Sequence, residues 1–148
     1  MPAGGRPPYN GRMQSDVAID GPQFAVAGAL LEAIGARDLD RIARALDTDA
    51  KLRALLPRGL REWSGPTEIA GAFDTWFGDA EGLELVDASI GQVGALLQLR
   101  WRLRVRAASR GEGPLVVEQH AYAKTGPSGR ICDMSLLCSG FWPEHHEP

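Results

Sequence analysis

His120 is the one histidine inside the chain; His145 and His146 stand close to its C-terminal end. An imidazole titrates near neutrality, so in an apolar pocket it can give or take a proton. Glu118 and Tyr122 flank it in the same run, and Asp133 follows in the next one. That set suits proton transfer on a small molecule, with His120 as the transferring group and Asp133 or Tyr122 assisting. The ordinary reading of the same residues is a strand histidine paired with a neighbour and a solvated carboxylate. Cys132 and Cys138 are six apart in one strand-like run. That spacing puts them on one side about 20 Å apart, too far for the ~7 Å Cα separation of a disulfide. They are expected as free, small core residues, and two thiols without a framework suggest a reducing, cytoplasmic setting. Cys138-Ser139-Gly140 is no nucleophile elbow, which needs Gly-x-Ser-x-Gly on a strand-to-helix turn. One internal histidine and two separated cysteines make no metal set, and no Gly-rich phosphate loop follows a strand, so neither a metal nor a cofactor is expected.

Whether His120 can act depends on the face it takes. Residues 97–107 alternate cleanly, with Leu97, Leu99, Trp101, Leu103 and Val105 on one side and Gln98, Arg100, Arg102, Arg104 and Arg106 on the other. If Arg102 lies opposite His120, then Arg104 faces Glu118, the polar residues point outward, and Ala121 and Ala123 line the interior beside Trp101 and Leu99. A slip of one residue turns Glu118, His120 and Tyr122 inward as a polar cluster. Charge complementarity favours the first register. The arginine stripe could touch phosphates, but the chain's net charge is −3. An outer sheet face paired with Glu84, Glu118 or a second subunit is the simpler reading, without nucleic acid or an anionic membrane as partner.

The elements that must position these residues follow from periodicity and punctuation. With 148 residues, 44% hydrophobic and 24% charged, the chain suits one domain with a real core. Residues 1–20 hold Gly4-Gly5, Pro7-Pro8 and Asn10-Gly11 and read as a flexible arm, from which Val17 and Ile19 could dock. Asp20-Gly21-Pro22 starts a helix with Phe24, Ala27, Leu31 and Ile34 at helical spacing. Asp38 caps a second, whose apolar face is Leu39, Ile42, Ala43 and Leu46. Residues 50–56 and 60–63 read as short strands around a turn at Pro57-Arg58-Gly59. A third helix carries Ile69, Phe73, Trp76 and Phe77 and ends at Gly78. From Leu83 the period becomes 2, giving strands over 83–90, 97–107, 115–124 and 130–139, with a loop at Ser109–Gly113. The domain spans 21–143, and 144–148 form a mobile tail. No apolar run reaches the length of a membrane span. Helices set apart from consecutive strands indicate α+β, a curved antiparallel sheet with three helices from the N-terminal half on its concave face.

That order, with Ala36-Arg37-Asp38-Leu39-Asp40 between the first helices, Ser64-Gly65-Pro66-Thr67-Glu68-Ile69 entering the third, and Ser128-Gly129-Arg130-Ile131 in the last hairpin, resembles the nuclear transport factor 2-like (SnoaL-like, ketosteroid-isomerase-like) superfamily over residues 22–143. The resemblance implies a cone-shaped roll with a pocket between sheet and helices, and often a homodimer. Its isomerases place a catalytic Asp before a proline, which falls here at Leu56, and an oxyanion-hole Tyr near Leu30. Leucine replaces neither. The remaining oxyanion-hole acid falls near His120, and in that respect the resemblance favours the inward register. The expected pocket is apolar, lined by Leu30, Ile34, Leu56, Trp76, Phe77 and Trp101 with His120 as its ionisable group. Two functions stay open: binding of a small hydrophobic molecule, with or without lyase, isomerase or cyclase-like chemistry, and a non-catalytic homodimeric interaction module.

Overall fold

The computed structural model describes residues 21–111 and 113–144. The expected arm with Val17 and Ile19, the Asp20 cap and residues 145–148 lie outside them. Pro22 stands in the first turn of helix α1 (Pro22–Ala36), where its missing N–H would find no partner anyway. The helix buries Ala27, Leu30, Leu31, Ala33 and Ile34 and stops at Arg37, which takes a left-handed φ of 53°. Helix α2 (Leu39–Arg44) starts at Asp38, whose side chain accepts from the Arg41 amide at 3.2 Å. Leu46, expected on this helix, instead opens strand β1 (Leu46–Leu56), where it pairs with Ile131 and is buried in the core. Strand β2 (Gly59–Ser64) returns antiparallel to β1. Helix α3 (Pro66–Phe77) begins with Glu68 accepting the Ser64 amide at 3.0 Å. The Arg37 guanidinium donates to the Ala80 carbonyl at 2.6 Å, tying the α1–α2 junction to the chain just past α3.

The second half is strand throughout: β3 (Gly82–Val93), β4 (Leu96–Arg106), β5 (Leu115–Thr125), β6 (Ile131–Cys138) and a two-residue β7 (Trp142–Pro143) that the sequence reading did not contain. Strand β3, expected over 83–90, runs on to Val93, and the turn into β4 is at Gly94, with φ +61°. The sheet runs β2-β1-β6-β5-β4-β3, with β7 also paired to β5. One pairing departs from the expected antiparallel sheet: β1 and β6 run parallel. The last long strand therefore sits in the middle of the sheet and joins the N-terminal hairpin to the C-terminal meander.

Three helices cover one face. Trp101, Leu99 and Leu103 of β4 meet Gln119, Ala121 and Val117 of β5 on that concave face, and all are buried. Leu30, Ile34, Ile69, Phe73 and Phe77 close over them from the helices. No helix among the described residues is long and apolar enough to cross a membrane.

Candidate functional site

The β4–β5 register decides the fate of His120. Arg102 pairs with Glu118 and Arg100 with His120, two residues along from the outward register considered above and on the same face of the sheet. His120 is therefore outside, half-buried, with Nε2 2.7 Å from a Glu118 carboxylate oxygen. Glu118 also accepts from Arg102 Nε at 2.9 Å. Burial raises the Glu118 pKa, while the hydrogen bonds from His120 and Arg102 lower it more, leaving the carboxyl below its ordinary value. Asp133 is outside as well and meets Arg53, not His120, through Arg53 Nη1 and Nη2 at 3.3 and 3.2 Å. The same guanidinium donates to Ser135 Oγ at 2.8 Å. Tyr122 is exposed on that face, opposite Ser135. His120 and the two residues expected to assist it thus all lie on the solvent side, with His120 and Asp133 held by separate partners. An alternating strand has only two faces, and the apolar partners of His120's neighbours claim the inner one.

Leu30 and Trp101 are fully buried, and Ile34 borders a cavity of about 10 Å³ beside Ile42, Phe73 and Phe77. That space holds one water at most. Leu30, Ile34 and Trp101 are core rather than pocket. Trp101 Nε1 donates to the fully buried Gln119 Oε1 at 2.8 Å.

Leu56, Trp76 and Phe77 do border open space: a cleft of about 760 Å³ at one end of the sheet. The parallel β1–β6 pairing creates it. With β1 and β6 parallel and β4–β5–β6 antiparallel, the β1–β2 turn, the C-terminal end of β6 and the β4–β5 loop emerge at the same end, beside α3. The cleft is walled by aromatic rings meeting edge to face. Trp63 and Trp76 lie 5.6 Å apart, Trp76 and Phe77 6.3 Å, and Phe77 and Phe141 6.0 Å. Cys138, Ser139 and Gly140 form another wall. Gly140 has φ +79°, and a Cβ there would meet Pro57 Cγ at 2.7 Å, so the β1–β2 turn and the end of β6 touch at a position open only to glycine. Ser139 locks that wall to β5: its Oγ accepts the Glu118 amide and its own amide donates to the Glu118 carbonyl, both at 2.9 Å.

Arg58, Arg61 and Arg110 line the cleft, against one carboxylate, Glu68. Arg61 belongs to the inward row of β2, opposite the buried Ala54, where an apolar residue would be expected. Arg110 lies over the Phe141 ring, its guanidinium carbon 3.8 Å from the centroid. Sequence reasoning missed these arginines and Phe141, because they sit in the turn at 57–59, at its edge, and in two separate loops. Their common end of the sheet follows from strand order. The two cysteines are free, as expected, and no group of His, Cys, Asp and Glu among the described residues could hold a metal ion.

No family model matches the sequence, and no curated protein matches it significantly. Solved structures do. An NTF-2 like protein of unknown function from Burkholderia xenovorans is 16% identical over 86% of this chain and 88% of its own, with TM-score 0.56. An LEH-like epoxide hydrolase from M. tuberculosis is 17% identical, covers 80% and 83%, and has TM-score 0.59. A steroid delta-isomerase from Pseudomonas aeruginosa is 18% identical, covers 83% of each chain, and has TM-score 0.57. At such identities the likeness is one of fold: the chain has the nuclear transport factor 2-like fold that its motifs suggested.

Proposed function

We propose that this chain, with its nuclear transport factor 2-like fold, is a small-molecule-binding domain whose ligand lies in the cleft at the end of the cone. The observation that carries the reading is a cleft of about 760 Å³ between aromatic walls, while Leu30 and Trp101, expected to line a pocket deeper in the cone, are fully buried. That volume falls within the roughly 300–1,000 Å³ of small-molecule sites. Solved neighbours include proteins described as an epoxide hydrolase and a steroid isomerase. Lyase, isomerase or cyclase-like chemistry would need a proton-transfer group at the ligand. His120 and Asp133 face the other side of the sheet, and Glu68, the carboxylate in the cleft lining, is engaged by the Ser64 amide. Binding is therefore the reading the geometry supports best.

Gly71 tests it. It lies on the exposed side of α3, lines the cleft, and has nothing within 4 Å of where its Cβ would be. Gly71→Trp should fill the cleft without disturbing the core. N-phenyl-1-naphthylamine, a neutral apolar dye, should bind the wild type with energy transfer from tryptophan and lose that binding in Gly71→Trp, while the melting temperature holds. Equal dye binding by both proteins would sink the cleft as the site.

A second reading concerns the opposite face. Leu60, Leu55 and Leu137 stand side by side on β2, β1 and β6 and are 62%, 48% and 55% exposed. This apolar row supports self-association through the sheet, and leaves the cleft free for ligand.

A further inference from the structure

Across the outer face of the sheet, Arg106 apart, arginines come with partners. Arg53 meets Asp133, Arg100 meets Asp87, Arg102 meets Glu118, and Arg104 meets Glu84 and Glu144. The arginines of the cleft do not: Arg58, Arg61 and Arg110 form no salt bridge among the described residues. The only carboxylate in the lining, Glu68, already accepts a backbone amide. A chain with net charge −3 thus places three arginines without a carboxylate partner around one cleft.

Placement adds a second observation. Arg61, though exposed, belongs to the inward row of β2, two residues from Trp63 on the same row, so its charge is carried on the concave side at the lining of the cleft. Arg110 sits over Phe141, its guanidinium carbon 3.8 Å from the ring centroid. A stacked guanidinium keeps its in-plane N–H donors free, and its fork matches two oxygens of a carboxylate, sulfonate or phosphate. The ring beneath it is part of the aromatic wall that runs through Phe77 to Trp76 and Trp63.

Resting on the cleft as the binding site, we propose that its ligands are amphipathic anions: an apolar ring or chain against Trp63, Trp76 and Phe77, and an oxyanion head group held by Arg61 and Arg110 with Arg58 at the rim. An apolar molecule without the head would leave the guanidinium donors to water. A small anion without the body would find solvent-exposed arginines that bind it weakly. A ligand with both halves therefore binds more tightly than one with either alone.

The test compares two dyes of similar ring system, the sulfonate 1-anilinonaphthalene-8-sulfonate and the neutral N-phenyl-1-naphthylamine, with inorganic phosphate as the bodiless anion. The proteins are the full chain and its Arg61→Gln, Arg110→Gln and Gly71→Trp variants, each checked by thermal melt so that dye uptake by an unfolded form is recognised. The sulfonate dye should bind the wild type about tenfold tighter than the neutral one. Arg61→Gln and Arg110→Gln should each erase most of that difference while leaving neutral-dye binding unchanged. Added salt should weaken the sulfonate only, and phosphate should not displace it at millimolar concentration. Equal affinities for the two dyes, or a sulfonate preference that survives both arginine variants, would overturn the anionic class and leave the cleft as an apolar site. Sulfonate binding that persists in Gly71→Trp would place the dye elsewhere and overturn the cleft as well.

Discussion

Gln119 is the one buried polar side chain among the described residues, and its amide orientation is dictated by its neighbour. An indole N–H can only donate, so Gln119 must turn its oxygen to Trp101 Nε1, and Nε2 is left with no partner. Gln119→Leu would strand the indole N–H, and Trp101→Phe would strand the glutamine oxygen. Each should destabilise the fold by about 1–3 kcal/mol beyond any change in packing, and the double variant by about 1 kcal/mol less than the sum. Urea unfolding of the four proteins checks this, and strict additivity would show that the bond contributes nothing. Glu118 supplies a pH prediction. Its folded-state pKa is depressed, so its contribution is full above the unfolded carboxylate range near 4.3 and is lost as pH falls through the folded value. Melts at descending pH below about 5 should show a shallower acid limb in Glu118→Gln than in the wild type. At this scale the sequence was readable by type but not by direction. The arginine–carboxylate pairing of the outer face was visible in the alternation of 97–107. Whether His120 faced in or out turned on a register that two adjacent strands do not determine alone; the buried Gln119 between Glu118 and His120 broke the apolar alternation that would have shown the inner row.

Helices and strands were largely legible as elements because each carries its own punctuation. Pro22, Asp38 and Pro66 mark the helix starts, and Arg37 and Gly78 two of the ends. The strands of the second half follow from a period of 2. Two misreadings have a local cause. Leu46 fits a helical face and a strand equally well, and is drawn to the strand by pairing with Ile131, which lies far along the chain. Glu144, assigned to a mobile tail, is held by Arg104 Nε and Nη2 at 2.8 Å each, because β7 carries the chain back along β5. The parallel β1–β6 pair was out of reach, since neither strand's pattern names its neighbour, and the cleft depends on it. Two glycines on the cleft wall separate backbone need from empty space. Gly140→Ala meets both a left-handed φ and Pro57, and should cost at least about 1–2 kcal/mol. Gly71→Ala, in mid-helix with open space around it, should stabilise by about 0.5–1 kcal/mol. Opposite shifts in melting temperature are the expected outcome, and a neutral Gly140→Ala would mean that the turn at Pro57 yields freely.

On the whole molecule, the helices cover one face of the sheet and leave the other to solvent. That outer face is not uniformly polar. Leu60, Leu55 and Leu137 form a row across three adjacent strands, bounded along the same row by His120 and Arg100. The next row, Glu62, Arg53, Ser135, Tyr122 and Gln98, is polar, and its arginine is already neutralised by Asp133. Charges paired within one copy can be covered by a second without leaving any of them stranded, which removes the main cost of burying such a surface. An isologous contact places the same row against itself, so three leucines and Tyr122 from each copy would supply the apolar centre. A stable interface needs roughly 800 Å² from each partner, about a tenth of the chain's 8120 Å² of accessible surface and well within one face of a seven-stranded sheet. The expected outcome is a dimer by light scattering at micromolar concentration. Leu137→Asp should convert it to a monomer, because a carboxylate in the row would lose its water against the facing copy, and the His120 ring beside it is already engaged by Glu118. The same variant should keep its sulfonate-dye affinity, since Leu137 lies on the face away from the cleft. A wild type that stays monomeric at tens of micromolar would rule out the dimer. A Leu137→Asp protein that remains dimeric would move the interface off this row, and the exposed leucines would then need a different partner.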